Sequence, residues 1–149
     1  MSVSPILQFT SYPYFCFIIT INNLKQKIMN PVNWFEIPVT DLDRAVKFYS
    51  EVFKVELNPM EMPGMKMAMF PDEQDKPFAT GSLVQGENLV PTTEGTTVYF
   101  YCEDLNIQLR LIEKKGGKVL NPKTSIGEMG FIAHFMDTEG NKVALHSMK

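Results

Sequence analysis

The sequence predicts an α+β fold of two tandem βαβββ modules, in which the helix of each module covers one face of its sheet. Three observations support it: two strand-and-helix passages with matching apolar spacing, a gapless repeat that relates them, and a C-terminal hairpin with two unlike faces. Since 149 residues suit one core shared by two small units, we expect a single domain over 29–149, with modules at about 30–90 and 95–149.

Two strand-and-helix passages open the modules. Residues 32–39 alternate as a strand, and 42–53 then place apolar side chains at steps of three and four, behind N-cap oxygens at Thr40 and Asp41. Residues 96–102 again alternate, and the helical pattern that follows ends at Gly116-Gly117. Three further strands are expected in each module.

The two passages form an internal repeat. Asp41-Leu42 matches Asp104-Leu105, 63 residues further along the chain. The same offset carries the Leu-Asn-Pro at 57–59 onto the Leu-Asn-Pro at 120–122. A repeat of about 60 residues indicates two copies of one unit, each too small to close its own core.

The last two strands are predicted to form an antiparallel hairpin around the Gly-containing loop 137–141. We expect Met136 to lie opposite Lys142. This register places His134 and His146 on the face that points away from the helix, because side chains alternate along a strand.

The first strand of each module adds aromatic residues to the same face. Alternation places Trp34 and Glu36 there in the first module, and Tyr99 and Tyr101 in the second. The face therefore collects flat aromatic side chains, a carboxylate and both histidines. This mostly apolar composition with few polar groups is typical of a ligand cleft, and the three aromatic residues are predicted to bind the ligand.

Composition and charge exclude several classes of partner. The chain has 14 basic and 17 acidic side chains, a net charge of −3 and no basic run with interleaved aromatics, so nucleic acid is not an expected partner. Its two cysteines, Cys16 and Cys102, cannot build a disulfide framework or a zinc knuckle. We expect a cytoplasmic protein.

Residues 1–28 are predicted to be an N-terminal extension outside the fold, or translated sequence upstream of the true start. The apolar run at 12–21 has about half the length of a membrane span, and no Lys or Arg precedes it, which argues against a signal peptide. We therefore expect no membrane association. The alternative is an extra edge strand or a partner-binding arm.

The residues of 33–53 (NWFEIPVTDLDRAVKFYSEVF) and of 116–147 resemble the vicinal oxygen chelate superfamily, which comprises glyoxalases, bleomycin resistance proteins and extradiol dioxygenases. The closest resemblance is to the branch described as predicted enzymes related to lactoylglutathione lyase. It implies that the two βαβββ modules form a curled mixed sheet around a cleft, and it implies a small-molecule ligand and a homodimer. Because one scaffold hosts many reactions, the resemblance alone does not fix the chemistry.

Metal-using members of this superfamily hold a divalent ion on the first and last strands of each module. The resemblance carries those positions onto Trp34, Thr97, Ala144 and one residue within 79–81. Trp, Ala and Gly side chains offer no lone pair that binds a metal, and a Thr hydroxyl is a poor ligand. We therefore expect no metal at the usual position.

Glu36, His134 and His146 are the candidate catalytic residues. Glu36 is predicted to act as a general base, with either histidine transferring a proton. The same three side chains form an alternative, displaced site for Zn, Ni or Fe. The alternatives without a catalytic role are histidines that line the cleft and only form hydrogen bonds, and a Glu36 that is exposed or paired with Lys66 or Lys142.

Five methionines alternate along 60–69, between the first helix and the last strand of its module. We predict a pliable loop over the cleft mouth, with Met67 in contact with the ligand, because methionine adapts to irregular apolar shapes. The alternatives are that these methionines pack within the fold or form a dimer interface. The matching loop at 127–130 places Glu128 within reach of the mouth.

Two functions follow from these expectations. The first is a protein that binds a small hydrophobic or aromatic metabolite in its cleft without a metal at the usual position. The second is a lyase or isomerase of the glyoxalase type, which uses Glu36 with His134 or His146 and a displaced metal.

Overall fold

The computed structural model describes residues 32–72 and 79–149. The predictions for 1–28 and for Cys16 lie outside these residues. None of the helices in the two described segments is long and apolar enough to cross a membrane.

Each module consists of one strand, one helix and three further strands, in the predicted order. The first module contains β1 (Trp34–Pro38), α1 (Leu42–Phe53), β2 (Asn58–Met62), β3 (Met65–Met69) and β4 (Thr80–Gly86). The second contains β5 (Tyr99–Tyr101), α2 (Leu105–Lys114), β6 (Lys118–Ser125), a 3₁₀ turn (Gly127–Met129), β7 (Phe131–Met136) and β8 (Lys142–Ser147).

The two modules share one topology. Their four-stranded sheets have the orders β1-β4-β3-β2 and β5-β8-β7-β6, in which the first strand pairs in parallel with the last and the other pairs are antiparallel. The predicted C-terminal register is confirmed, with Met136 opposite Lys142 and His134 opposite Ala144. In the described segments the two sheets remain separate and do not close into one.

Equivalent aspartates start both helices. The side chain of Asp41 accepts a hydrogen bond from the Arg44 N–H at 3.0 Å, and that of Asp104 accepts from the Asn106 N–H at 2.9 Å. Each carboxylate thereby satisfies a backbone donor that has no partner inside its helix. The helix α2 ends before Gly116, whose φ of +97° only glycine adopts without strain.

One hydrophobic core serves both modules. It contains the buried faces of α1 and α2 together with the side chains of both sheets that point toward the helices. The Phe100 ring of the second module lies 5.8 Å from Phe35, 5.9 Å from Tyr49 and 4.5 Å from Phe53, all in the first module. Separating the modules would expose these rings to water, so neither module is expected to be stable alone.

The loop 137–141 fastens the second module to the first through the buried carboxylate of Asp137. The Oδ1 atom of Asp137 accepts three backbone N–H groups of the loop at 2.8 to 2.9 Å. Its Oδ2 atom accepts the Tyr49 hydroxyl at 2.8 Å and the Asn141 amide at 2.9 Å. The Asn141 amide also donates to the carbonyl of Pro38 at 2.8 Å, so both ends of the loop reach the first module.

Glu139, from the same loop, binds the start of α1. Its carboxylate accepts the backbone N–H groups of Thr40 and Asp41, the Thr40 hydroxyl at 2.8 Å and the Arg44 guanidinium at 2.8 and 2.9 Å. Burial by itself would raise the pKa of Glu139. The hydrogen bonds from Arg44, Thr40, Asp41 and Thr138 outweigh burial and lower this pKa to about 2.

We predict that Asp137→Ala lowers the free energy of unfolding by about 4 kcal/mol, because five donors lose a buried acceptor. Urea denaturation measures the change. The matched control is Asp72→Ala, which removes an exposed aspartate that follows β3 in the first module and should change stability by less than about 0.5 kcal/mol. Equal effects of both variants would contradict the role of Asp137.

We also predict that Glu139→Gln costs about 2 kcal/mol of stability at pH 7, since charge-assisted hydrogen bonds are replaced by neutral ones. The folded-state pKa of about 2 lies below the ordinary value of 4.5, so this stabilisation is complete above about pH 5 and is lost as the pH falls toward 2. Thermal unfolding from pH 7 to pH 2 should therefore show a smaller loss in the variant. The exposed control Glu113→Gln should follow the wild-type curve.

Candidate functional site

The candidate site lies on the outer faces, by which we mean the face of each sheet that points away from the shared core. Ile37 and Cys102 point into that core, as the alternation predicts. The outer faces carry the predicted site residues of the strands: Trp34, Glu36 and Met67 on the first sheet, and Tyr99, Tyr101, His134 and His146 on the second.

One row of residues crosses the second sheet from β5 to β6. Tyr99 lies opposite Ala144, Ala144 opposite His134, and His134 opposite Asn121. The hydroxyl of Tyr99 is 3.1 Å from Nε2 of His134, and the two rings meet edge to face at 5.8 Å. The hydrogen bond joins residues on either side of Ala144, whose small side chain is fully buried.

Asn121 completes this row and was not predicted. Its amide nitrogen lies 3.4 Å from Nδ1 of His134. The pairing of β6 with β7 shifts on both sides of Asn121, an irregularity of the kind that re-aims side chains in sheets. The repeated Leu-Asn-Pro marked this position in the sequence, but the partner of Asn121 depends on a shift that the sequence pattern does not reveal.

His146 has a separate set of partners. Its Nε2 atom donates to the carbonyl oxygen of Met129 at 2.8 Å, because a carbonyl oxygen only accepts. The ring of His146 lies 6.4 Å from that of Tyr101. The hydrogen bond ties β8 to the 3₁₀ turn, in which Glu128 is exposed. The two histidines therefore contact different neighbours on the same outer face.

Glu36 is exposed on the first sheet, which agrees with the simplest of its predicted alternatives. Its carboxylate accepts a hydrogen bond of 3.4 Å from the indole N–H of Trp34. Within the described segments, no hydrogen bond or ion pair joins Glu36 to either histidine, to Lys66 or to Lys142. No three His, Cys, Asp or Glu side chains of these segments come together in a metal-binding group.

Comparison with known proteins identifies the family. Residues 32–71 match the family described as bleomycin resistance protein-like N-terminal. A glyoxylase-like domain-containing protein from Didymella fabae is 32% identical over 123 residues, which cover 76% of this chain and 91% of the relative. This chain belongs to the vicinal oxygen chelate superfamily.

Solved structures share the fold. Glyoxalase I from Zea mays has a TM-score of 0.60 and 21% identity over 78% of this chain. The glyoxylase/bleomycin resistance protein/dioxygenase domain from Frankia sp. EAN1pec has a TM-score of 0.61 and 15% identity over 81% of this chain and 99% of its own. The chain spans only 45% of the maize enzyme, so that similarity concerns the fold alone.

The strand register corrects one position inferred from the superfamily resemblance. Glu36 pairs with Ser82 in the first module, and Tyr99 pairs with Ala144 in the second. These two pairs occupy matching rungs, by which we mean equivalent positions along the paired strands of the two sheets. The counterpart of Ala144 is therefore Ser82 and not a residue within 79–81. Ser82 is fully buried, and its hydroxyl has no hydrogen-bond partner among the described residues.

The methionine segment of this superfamily member forms a hairpin and not the predicted loop. Strands β2 and β3 pair along their whole length, and Gly64 in the turn between them has a φ of +82°. Met67 is buried and lines a cavity of about 460 Å³ near the start of α1. Met60 and Met62, on the edge strand, are 46% and 49% exposed.

Cys102 is part of the hydrophobic core. Its thiol is buried, and burial together with the charge of Asp104 raises its pKa to about 11. The reactive thiolate is therefore scarce at neutral pH.

Proposed function

We propose that this protein binds a small hydrophobic or aromatic metabolite on its outer faces, without a metal at the usual position of the superfamily. The observation that supports the proposal most is the exposure of three aromatic side chains beside polar groups: Trp34 is 38% exposed, Tyr99 49% and Tyr101 59%. Such side chains supply flat contact area and a polar tip, and little conformational entropy is lost when they bind a ligand.

The positions of the acid-base residues favour binding over catalysis. A lyase or isomerase of the glyoxalase type would need Glu36 and a histidine around the same substrate atoms. Glu36 lies on the first sheet, whereas His134 and His146 lie on the second and have neighbours of their own. We therefore propose ligand binding as the main function, with proton transfer as the alternative.

The usual metal position supports the metal-free part of the proposal. The resemblance carries that position onto Trp34 and Thr97 on the first strands and Ala144 on the last, and the strand register adds Ser82 as the counterpart of Ala144. An indole, a methyl group and a hydroxyl lack the donor strength of the His, Cys and carboxylate ligands that hold zinc in proteins. The polar contacts to a ligand would then come from Tyr99 and Glu36.

We predict that 4-nitroanisole, a neutral aromatic probe, binds the protein and quenches the fluorescence of Trp34, the single tryptophan. Trp34→Ala and Tyr101→Ala should each weaken binding about tenfold in isothermal titration calorimetry, since an aromatic contact is lost. Dialysis against a chelator should leave the affinity unchanged.

The control for this experiment is Ile107→Ala, which removes an apolar side chain of 47% exposure from α2, a helix on the core side of the sheets. Its affinity for 4-nitroanisole should equal that of the wild type. Equal weakening by all three variants, or loss of binding after chelation, would contradict the proposed site.

We also propose that the protein is a homodimer that contacts its second copy through β2. This strand is at the edge of the first sheet and exposes Met60 and Met62, whereas unpaired strand edges readily pair with another chain. The other outer antiparallel strand, β6, contains the matching proline but differs from β2 in its irregular pairing, which makes its edge a poorer partner for another chain.

The double variant Met60→Ser and Met62→Ser should therefore shift the protein from dimer to monomer in sedimentation equilibrium at micromolar concentration, because it removes apolar area from the edge strand. Met148→Ser, a control at a methionine of 58% exposure near the C-terminus, should remain dimeric. A monomeric wild type would refute the dimer, and a double variant that stays dimeric would place the contact elsewhere.

A further inference from the structure

We infer that Asn121 and His134 orient the hydroxyl of Tyr99 as a hydrogen-bond donor toward a ligand oxygen that carries negative charge or belongs to a carbonyl group. The inference rests on the proposed ligand-binding function and specifies the chemical class of the ligand: an aromatic molecule with a phenolate, enolate or carbonyl oxygen. Asn121 and His134 are positioning residues, and Tyr99 is the residue that touches the ligand.

The first step of the argument is the tautomer of His134. The amide nitrogen of Asn121 lies 3.4 Å from Nδ1 of His134, and an amide nitrogen only donates. Nδ1 must therefore accept this hydrogen bond with its lone pair. In a neutral imidazole the single proton then resides on Nε2.

The second step concerns Tyr99. The protonated Nε2 of His134 lies 3.1 Å from the Tyr99 oxygen and donates to it. The phenol oxygen thus accepts, and its own proton must point elsewhere. The hydroxyl has no other hydrogen-bond partner among the described residues, and the side chain is 49% exposed. Its proton is available to an acceptor atom on a ligand.

The first module shows that this arrangement is specific to the second sheet. Its equivalent row contains Glu36, Ser82, Met69 and Asn58, in the same strand order. Asn58 is the repeat counterpart of Asn121, but Met69 stands where the second module has His134. The first module therefore lacks the relay, by which we mean the two hydrogen bonds that join asparagine, histidine and tyrosine. Glu36 occupies the rung of Tyr99, and an ionised carboxylate only accepts hydrogen bonds. The two modules therefore present opposite hydrogen-bonding chemistry.

The tautomer is measured directly by long-range ¹H–¹⁵N NMR on the full chain. The chain contains two histidines, so the signals that remain in the variant His146→Gln belong to His134. We expect His134 to carry its proton on Nε2 above neutral pH and to lose this preference in Asn121→Ala. A proton on Nδ1 in the wild type would overturn the inference, because Tyr99 would then donate to Nε2 and offer only its lone pairs to a ligand.

The second experiment compares two probes at about pH 9: 4-nitrophenolate, which carries an oxyanion, and 4-nitroanisole, in which a methyl group blocks that oxygen. Tyr99→Phe should weaken binding of 4-nitrophenolate at least tenfold and that of 4-nitroanisole less than twofold, since hydrogen bonds to charged acceptors are the stronger ones. Asn121→Ala should reproduce this selective loss in part, and the matched control Asn58→Ala should not.

The outcomes separate the two proposals. Failure of the wild type to bind either probe would refute the proposed function, while the tautomer would still decide how Tyr99 is oriented. Binding of both probes with equal losses in Tyr99→Phe would leave the proposed function intact and refute the donor role. An unchanged Asn121→Ala would remove Asn121 from the relay.

Discussion

The buried carboxylate of Asp137 is the interaction on which the arrangement of the two modules depends. It accepts five hydrogen bonds, four from its own loop and one from Tyr49, whose ring is part of the core of the first module. A buried carboxylate without these donors would be strongly destabilising. Because the loop is shaped by Asp137, Glu139 and Asn141 are held where they bind the start of α1 and the end of β1. The aromatic contacts of Phe100 then close one core.

In the described segments, the modules are held together by the shared core and by the loop 137–141, and not by contacts between residues of the outer faces. Their residues are therefore available for function, and the duplication has given them different chemistry at equivalent rungs. Glu36 offers acceptors on one sheet, and Tyr99 offers a donor on the other. The two rows differ at three of their four positions, and only the asparagine is the same in both. His134 stands at the position of Met69 and has Asn121 as a partner. A duplicated fold can thus keep one backbone while its two halves address different parts of a ligand.

Membership of the vicinal oxygen chelate superfamily defines the scaffold, and the residues define a site that differs from its metal-using members. The small side chain of Ala144 lies beneath the Tyr99–His134 hydrogen bond, at a position where metal-using members have a metal-binding side chain. The equivalent Ser82 is likewise small and buried. Neither the Ala144 methyl group nor the Ser82 hydroxyl is a strong metal ligand, and in the second module the hydrogen-bonded Tyr99–His134 pair spans this position. The polar chemistry of this site therefore comes from side chains of neighbouring strands.

The sequence by itself determined the repeat, the helix starts and the C-terminal register, because these follow from local periodicity and from capping groups within a few residues. It also placed Tyr99 and His134 on one face, which alternation requires. Tertiary structure alone decided the partners of Glu139 and Asn121, since the first lie about a hundred residues away and the second depends on an irregular strand pairing. It likewise placed Glu36 and the histidines on different sheets, with no hydrogen bond between them among the described residues. Alternation assigns a residue to a face of a sheet but does not decide how two sheets lie.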